Sequence, residues 1–253
     1  SQIIMACCEP ATDHIVIVPP TFGMYKVAAR TYGVAVREVP LDADFQLDAE
    51  AVLEAADNHS KIIFIPTPNN PTANSFDVQA LKKIIQEFPG LVVVDEAYIE
   101  FTDQASFIEL LDSHTNLVVC QTFSKAQGMA GARLGMAFAH PELIRYLNRI
   151  KAPYKINSLT LAATLQRLEE QDQVQEQVAF MLEERKRLEA AFTEIGFIKT
   201  IFPSDANFVL VRVDDSSLRY QELLDSGIVV RNPSKNTACE NTLRISVGLA
   251  EEN

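Results

Sequence analysis

The chain has 253 residues, 47% apolar and 22% charged, a balance that suits one large or two modest folded units with a substantial core. Its net charge of −12 argues against a nucleic-acid partner, which demands a basic face. No apolar run approaches the roughly 20 residues a membrane helix requires, and the opening residues do not read as a signal peptide.

Short apolar runs and helical patterns alternate over residues 1–152. Ile15–Val18 reads as a strand, Tyr25–Tyr32 as a helix, Val34–Val39 as a strand, Ala49–Ala56 as a helix and Lys61–Ile65 as a strand. Val78, Leu81, Ile84, Ile85 and Phe88 then recur at helical spacing behind Asp77, a carboxylate suited to cap the first turn, and Pro89-Gly90 stops that helix. Strand Leu91–Val94, helix Phe107–Leu111 and strands Leu117–Cys120 and Leu134–Ala139 follow. Near-continuous apolar strands separated by helices predict a mostly parallel, mixed α/β sheet covered on both faces.

After Pro153 the pattern changes. Leu159–Leu168 reads as a helix, and Val174, Val178, Met181, Leu182, Leu188, Phe192 and Ile195 mark one long amphipathic helix closed by Gly196. Strand Phe208–Val213, helix Ser217–Asp225 and strands Ile228–Arg231 and Leu243–Val247 complete a smaller α+β unit, so the division is drawn as 1–152 and 153–253. Cys7, Cys8, Cys120 and Cys239 have no C-x-x-C spacing and read as reduced thiols of a cytoplasmic protein. His14, His59, His114 and His140 stand apart, so no metal centre is expected.

The chemistry concentrates where strands end, which is where open α/β sheets gather ligands. Lys125 follows an apolar strand in Thr122-Phe123-Ser124-Lys125, with Arg133 eight residues on: an amine that can form a Schiff base beside groups that can hold a phosphate. Upstream, the strand Leu91–Val94 ends abruptly in Asp95, with Tyr98 three residues later. Pyridoxal phosphate (PLP) needs this set: a lysine, a carboxylate for its ring nitrogen and donors for its phosphate. Asn70, between prolines in Pro68-Asn69-Asn70-Pro71, and Phe22, in Pro19-Pro20-Thr21-Phe22-Gly23, also follow strands and can serve the ring as amide donor and stacking face. Each residue taken alone has a structural reading as well: Asp95 as a cap, Tyr98 and Phe22 as packed aromatics, Asn70 as an Asn-Pro turn.

Together with Gly131-Ala132-Arg133-Leu134-Gly135, these motifs stand in an order and spacing that resembles the fold-type I PLP-dependent aminotransferases of class I/II. Pro19-Pro20-Thr21-Phe22-Gly23-Met24-Tyr25, Asp95-Glu96-Ala97-Tyr98-Ile99-Glu100-Phe101 and Leu243-Arg244-Ile245-Ser246-Val247-Gly248 look most like the histidinol-phosphate subgroup. The resemblance implies amino transfer between L-histidinol phosphate and 2-oxoglutarate or glutamate, in histidine biosynthesis, by a cytoplasmic homodimer. Lys125 would carry the cofactor and shuttle the proton, and Asp95 would pair with the ring nitrogen. Asn70 and Tyr98 would bind the ring oxygen, and Phe22 would lie on the ring. Thr122, Ser124 and Arg133 would hold the phosphate, while Arg244 and Arg231 would meet the substrate anion, unless these arginines form surface ion pairs. A PLP-dependent decarboxylase of a phosphorylated amino acid, an aromatic aminotransferase and a non-catalytic aminotransferase-like binding module are the competing readings.

Two departures from the family pattern stand out. Ala73 occupies the glycine position of the family's Pro-Thr-Gly turn, where a positive φ would cost alanine about 1 kcal/mol. The family's N-terminal arm and Gly-rich phosphate segment are expected ahead of Ser1, and its last helix beyond Gly248 looks short, so this chain reads as a trimmed version.

Overall fold

Near-continuous apolar strands, buried on both faces, build the central layer and leave polar residues at the strand ends. The computed structural model describes residues 1–253. The chain opens with helix α1 (Gln2–Cys7), then strand β1 (His14–Ile17), helix α2 (Met24–Thr31), strand β2 (Ala35–Glu38), helix α3 (Ala49–Glu54) and strand β3 (Ser60–Pro66). Helix α4 (Val78–Glu87) starts where Asp77 accepts the Ala80 N–H at 2.8 Å, the capping role its position predicts. Strands β4 (Leu91–Asp95), β5 (Leu117–Thr122) and β6 (Gly135–Ala139) and helix α5 (Pro141–Ile150) complete this half.

Six strands form one sheet in the order β2-β1-β3-β4-β5-β6, with β6 antiparallel to β5 and every other pairing parallel. Successive side chains point to opposite faces. Val16, Ile63, Ile65, Val92, Val94, Leu117 and Val119 meet Val52 of α3 and Leu81, Ile84 and Ile85 of α4 on one face. Ile15, Ile17, Ile62, Phe64, Val93 and Val118 meet Ile3 and Ile4 of α1 and Tyr25 and Ala29 of α2 on the other. The mixed, mostly parallel sheet with helices on both faces is the fold class the sequence predicts.

Helices α6 (Ser158–Glu169) and α7 (Gln171–Phe192) lead to strands β7 (Ile198–Ile201) and β8 (Phe208–Val213), helix α8 (Ser216–Asp225) and strand β9 (Thr242–Ser246). The three strands form an antiparallel sheet with β8 in the centre. Leu188 and Phe192 of α7 cover it, while Val174, nearer the start of that helix, packs with Tyr98, Phe101 and Phe208. The long helix therefore joins the small sheet to the ends of the large one.

Two sequence expectations are corrected, and two elements are added. Ile228–Arg231 is not a strand: only Arg231 pairs, in an isolated bridge with Arg244, and Ile228 and Val229 are exposed. The edge of β9 lies beside it, but the pairing does not extend beyond that one bridge, and Pro233 cannot donate to a ladder. The turn at Phe107–Leu110 is a 3-10 helix rather than an α-helix, started by Ser106 accepting the Ile108 N–H. Helix α5 and strand β7 were not anticipated. Pro141 in the first turn and Leu143, Ile144 and Leu147 at helical spacing are the signals that mark α5. No helix is long and apolar enough to cross a membrane.

Candidate active site

Asp95 ends β4, with Pro66 of β3 and Cys120 of β5 as its register partners. The three neighbouring strand ends thus deliver the Pro66–Thr72 turn, the acid and the Thr122–Lys125 segment to one edge. Desolvation raises the Asp95 carboxyl above the usual carboxylate range, opposed by a hydrogen bond from Tyr25 Oη at 2.6 Å, by the Ala97 N–H and by the charge of Lys125. Burial pushes the neighbouring Cys120 thiol up to about 12, which removes it as a competing nucleophile.

Asn69 organises the turn after β3. Its fully buried amide donates to the Pro20 carbonyl at 2.9 Å and to Thr72 Oγ1 at 2.6 Å, tying the loops after β1 and β3 together. Asn70 projects beyond this anchor, and its Oδ1 accepts from Arg244 Nη1 at 2.7 Å. That contact orients the amide: the oxygen faces the guanidinium, and the NH2 is the end left to donate. Ala73 has φ +70°, the left-handed conformation that its glycine-like position demands. It is held by its N–H to the Asn69 carbonyl at 2.9 Å and by the Asp205 N–H to its own carbonyl at 2.8 Å. Its methyl packs in the cluster that contains Tyr98 and Phe208, and this burial offsets part of the conformational cost.

Beyond β5, Thr122 Oγ1 accepts the Ser124 N–H at 3.1 Å, a hydroxyl turn that bends the chain as it leaves the strand. The Phe123 N–H reaches back to the Leu134 carbonyl at 3.1 Å, and the Gly128 N–H closes on the Lys125 carbonyl at 2.8 Å. Lys125 leaves this turn with Nζ 5.1 Å from the centroid of the Tyr98 ring. Tyr98 in turn meets Phe208 edge-on, with centroids 5.2 Å apart.

From the second sheet, Arg244 of β9 reaches the same place. Its backbone exchanges hydrogen bonds with Arg231 at 2.8 and 3.0 Å, and its guanidinium lies 4.8 Å from the Phe208 ring centroid. Its Nε is buried without an acceptor. Two guanidinium side chains on one wall, one with an unpaired buried donor, are complementary to a carboxylate or phosphate.

Phe22, Asn70, Asp95, Tyr98, Lys125, Arg231 and Arg244 wall one cavity of about 330 Å³, together with Tyr25 and the turn prolines. Arg133 is not among them. It has φ +53°, donates to the Ala130 carbonyl at 3.0 Å and lines a separate recess with Lys151 and Lys155. Thr122 and Ser124, hydroxyls 3.1 Å apart at the end of β5, line neither cavity. Tyr25 is the site residue that motif reading missed. Its signal was present: an aromatic with a polar tip one helical turn beyond Phe22.

An amine, a carboxylate, a free amide donor and an exposed aromatic face around one cavity fit the ring and aldehyde of a pyridine cofactor, and the unpaired Arg244 Nε fits an anionic substrate. Over residues 1–253 the chain matches the sequence profile of the family described as aminotransferase class I and II. It is 48% identical over 251 residues to histidinol-phosphate aminotransferase of Parabacteroides distasonis, covering 99% of this chain and 73% of the relative. The crystal structure of histidinol-phosphate aminotransferase from Clostridium acetobutylicum superposes with a TM-score of 0.90 at 25% identity, covering 99% of this chain and 76% of that one. The Sinorhizobium meliloti enzyme of the same name, solved in complex with pyridoxal-5'-phosphate, gives a TM-score of 0.88 at 26% identity, covering 99% and 70%.

Proposed function

The chain belongs to the class I and II aminotransferases, and from that premise we propose how its residues divide the work of a PLP-dependent amino transfer between L-histidinol phosphate and 2-oxoglutarate or glutamate. Bound PLP supplies an aldehyde that takes up the amine and a protonated ring that draws electrons from the substrate α-carbon. Lys125 would anchor the cofactor through its amine and, once freed, would serve as the base that takes and returns the proton of the substrate α-carbon. The Asp95 carboxylate holds the proton on the ring nitrogen. The Asn70 NH2 and the Tyr98 hydroxyl donate to the ring oxygen, and Phe22 covers one face of the ring. Thr122, Ser124 and Arg133 are proposed for the cofactor phosphate from their motif positions, although they do not line the Lys125 cavity and the Arg133 guanidinium would have to leave the Ala130 carbonyl.

Arg231 and Arg244 receive the anionic end of either substrate. A planar fork binds carboxylate and phosphate with the same geometry, so one wall can serve both half-reactions. The observation that carries this reading is that Lys125, Asp95, Asn70 and both arginines, drawn from both sheets, line a single cavity. Residues 1–152 are proposed as the cofactor-binding unit and 153–253 as the small unit that brings the arginines. The proposal extends to a homodimer working in the cytoplasm; sedimentation equilibrium tests the dimer.

The test is to supply L-histidinol phosphate, 2-oxoglutarate and PLP and to measure glutamate. The expected result is glutamate formed with equimolar keto product, abolished in Lys125→Ala. Release of carbon dioxide from a phosphorylated amino acid would instead establish the decarboxylase reading. Tight cofactor binding with no turnover of any amine would establish the binding module.

A further inference from the structure

The Asp95 carboxylate receives one side-chain hydrogen bond, from the Tyr25 hydroxyl at 2.6 Å. Tyr25 is only 8% exposed, and its ring is clamped: it stacks on Phe64 with centroids 4.8 Å apart and planes at 17°, and meets Phe22 edge-on at 5.5 Å. Phenylalanine would satisfy all of that packing. The hydroxyl therefore answers to the carboxylate alone, and burying it among apolar neighbours costs free energy that this one bond offsets. Burial and the adjacent Asp95 charge hold the Tyr25 phenol well above its usual range, so it stays a donor at every working pH.

We propose that Tyr25 is a positioning residue for the reaction, holding the Asp95 carboxylate by one oxygen so that the other meets the ring nitrogen of the cofactor. This rests on the assignment of Asp95 made above. The hydrogen bond crosses between elements, from α2 to the end of β4, and is braced on the sheet through Phe64 of β3. A carboxylate without it could rotate away from the ring and would lose its one side-chain donor, leaving the Ala97 N–H as the remaining hydrogen bond that favours its charged form.

The experiment measures the affinity of the full chain for PLP and for its deaza analogue, in which C–H replaces the ring nitrogen, by fluorescence and visible absorbance. Wild type, Tyr25→Phe, Asp95→Asn and the double variant are compared. Losing a hydrogen bond to a charged group should weaken PLP binding by Tyr25→Phe at least about tenfold. Binding of the analogue should stay within about twofold of wild type, and Tyr25→Phe should add nothing to Asp95→Asn. Equal loss for both ligands, whether from slackened packing or failed folding, would overturn the proposal, as would unchanged PLP affinity. If Asp95→Asn itself binds PLP like wild type, the assignment of Asp95 fails and the proposal falls with it.

Discussion

Removing the Arg244 side chain should separate binding from stability. Arg244→Ala deletes the 2.7 Å bond to Asn70 Oδ1 and the guanidinium over Phe208, but leaves the backbone bridge to Arg231 intact. The hydrogen bond contributes about 1.5 kcal/mol and the cation–π contact about 1 kcal/mol. Against these stands relief of the buried Nε, which has no acceptor and costs about 1–2 kcal/mol while it stays unpaired. Asn70 is only partly buried, so water replaces the lost donor at its oxygen. The net loss of folding stability is therefore about 0.5–1.5 kcal/mol. The substrate anion, by contrast, loses a desolvated charged partner, about 3 kcal/mol or roughly 100-fold in kcat/KM. Urea unfolding without ligand and steady-state kinetics measure the two. Arg244→Lys should recover little, because an ammonium lacks the fork. A stability loss above about 3 kcal/mol with less than a tenfold kinetic effect would refute the reasoning and make Arg244 a structural residue.

Two further outcomes concern stability. Glu96 is fully buried and accepts from Ser106 Oγ at 2.6 Å, the Phe107 N–H at 2.6 Å and Gln121 Nε2 at 2.9 Å. Glu96→Ala strands a buried backbone donor, so urea unfolding should show a loss of about 3 kcal/mol at unchanged m-value. His14 is buried against Ser60 Oγ at 2.5 Å, and burial, with the Arg37 charge beside it, depresses its pKa below 6.5. The unfolded chain then binds the proton first, so stability from this group is complete above pH 6.5 and is lost as pH falls below it. His14→Gln should flatten the limb of the stability profile between about pH 6.5 and 5; an unchanged limb would clear His14 of that role.

Where one residue type meets one requirement, the sequence was readable. Asp77 caps α4 because a carboxylate before an amphipathic run has one favourable place. Lys125, Asp95 and Asn70 converge because parallel strands send their carboxyl ends to one edge, and motif order alone placed them there. Ala73 at positive φ was foreseen from the glycine it replaces. Contacts between distant segments were less legible. The hydrogen bond from Tyr25 to Asp95 spans 70 residues, and that from Arg244 to Asn70 spans 174, so no local pattern encodes either. Apolar runs also misled at Ile228–Val230, which carries strand propensity but finds no ladder. Arg133 shows the same limit: its turn was found, but the direction of its side chain is set by the Ala130 carbonyl.

The central claim is that Lys125 carries PLP in the cavity shared by Asp95, Asn70 and Arg244. Its most direct test is to add PLP to the full chain, record the visible spectrum, reduce with borohydride and map the modified peptide. The expected result is a visible band that reduction abolishes and a single pyridoxyl group on Lys125, absent from Lys125→Ala. No band, or modification spread over surface lysines and unchanged in Lys125→Ala, would contradict it.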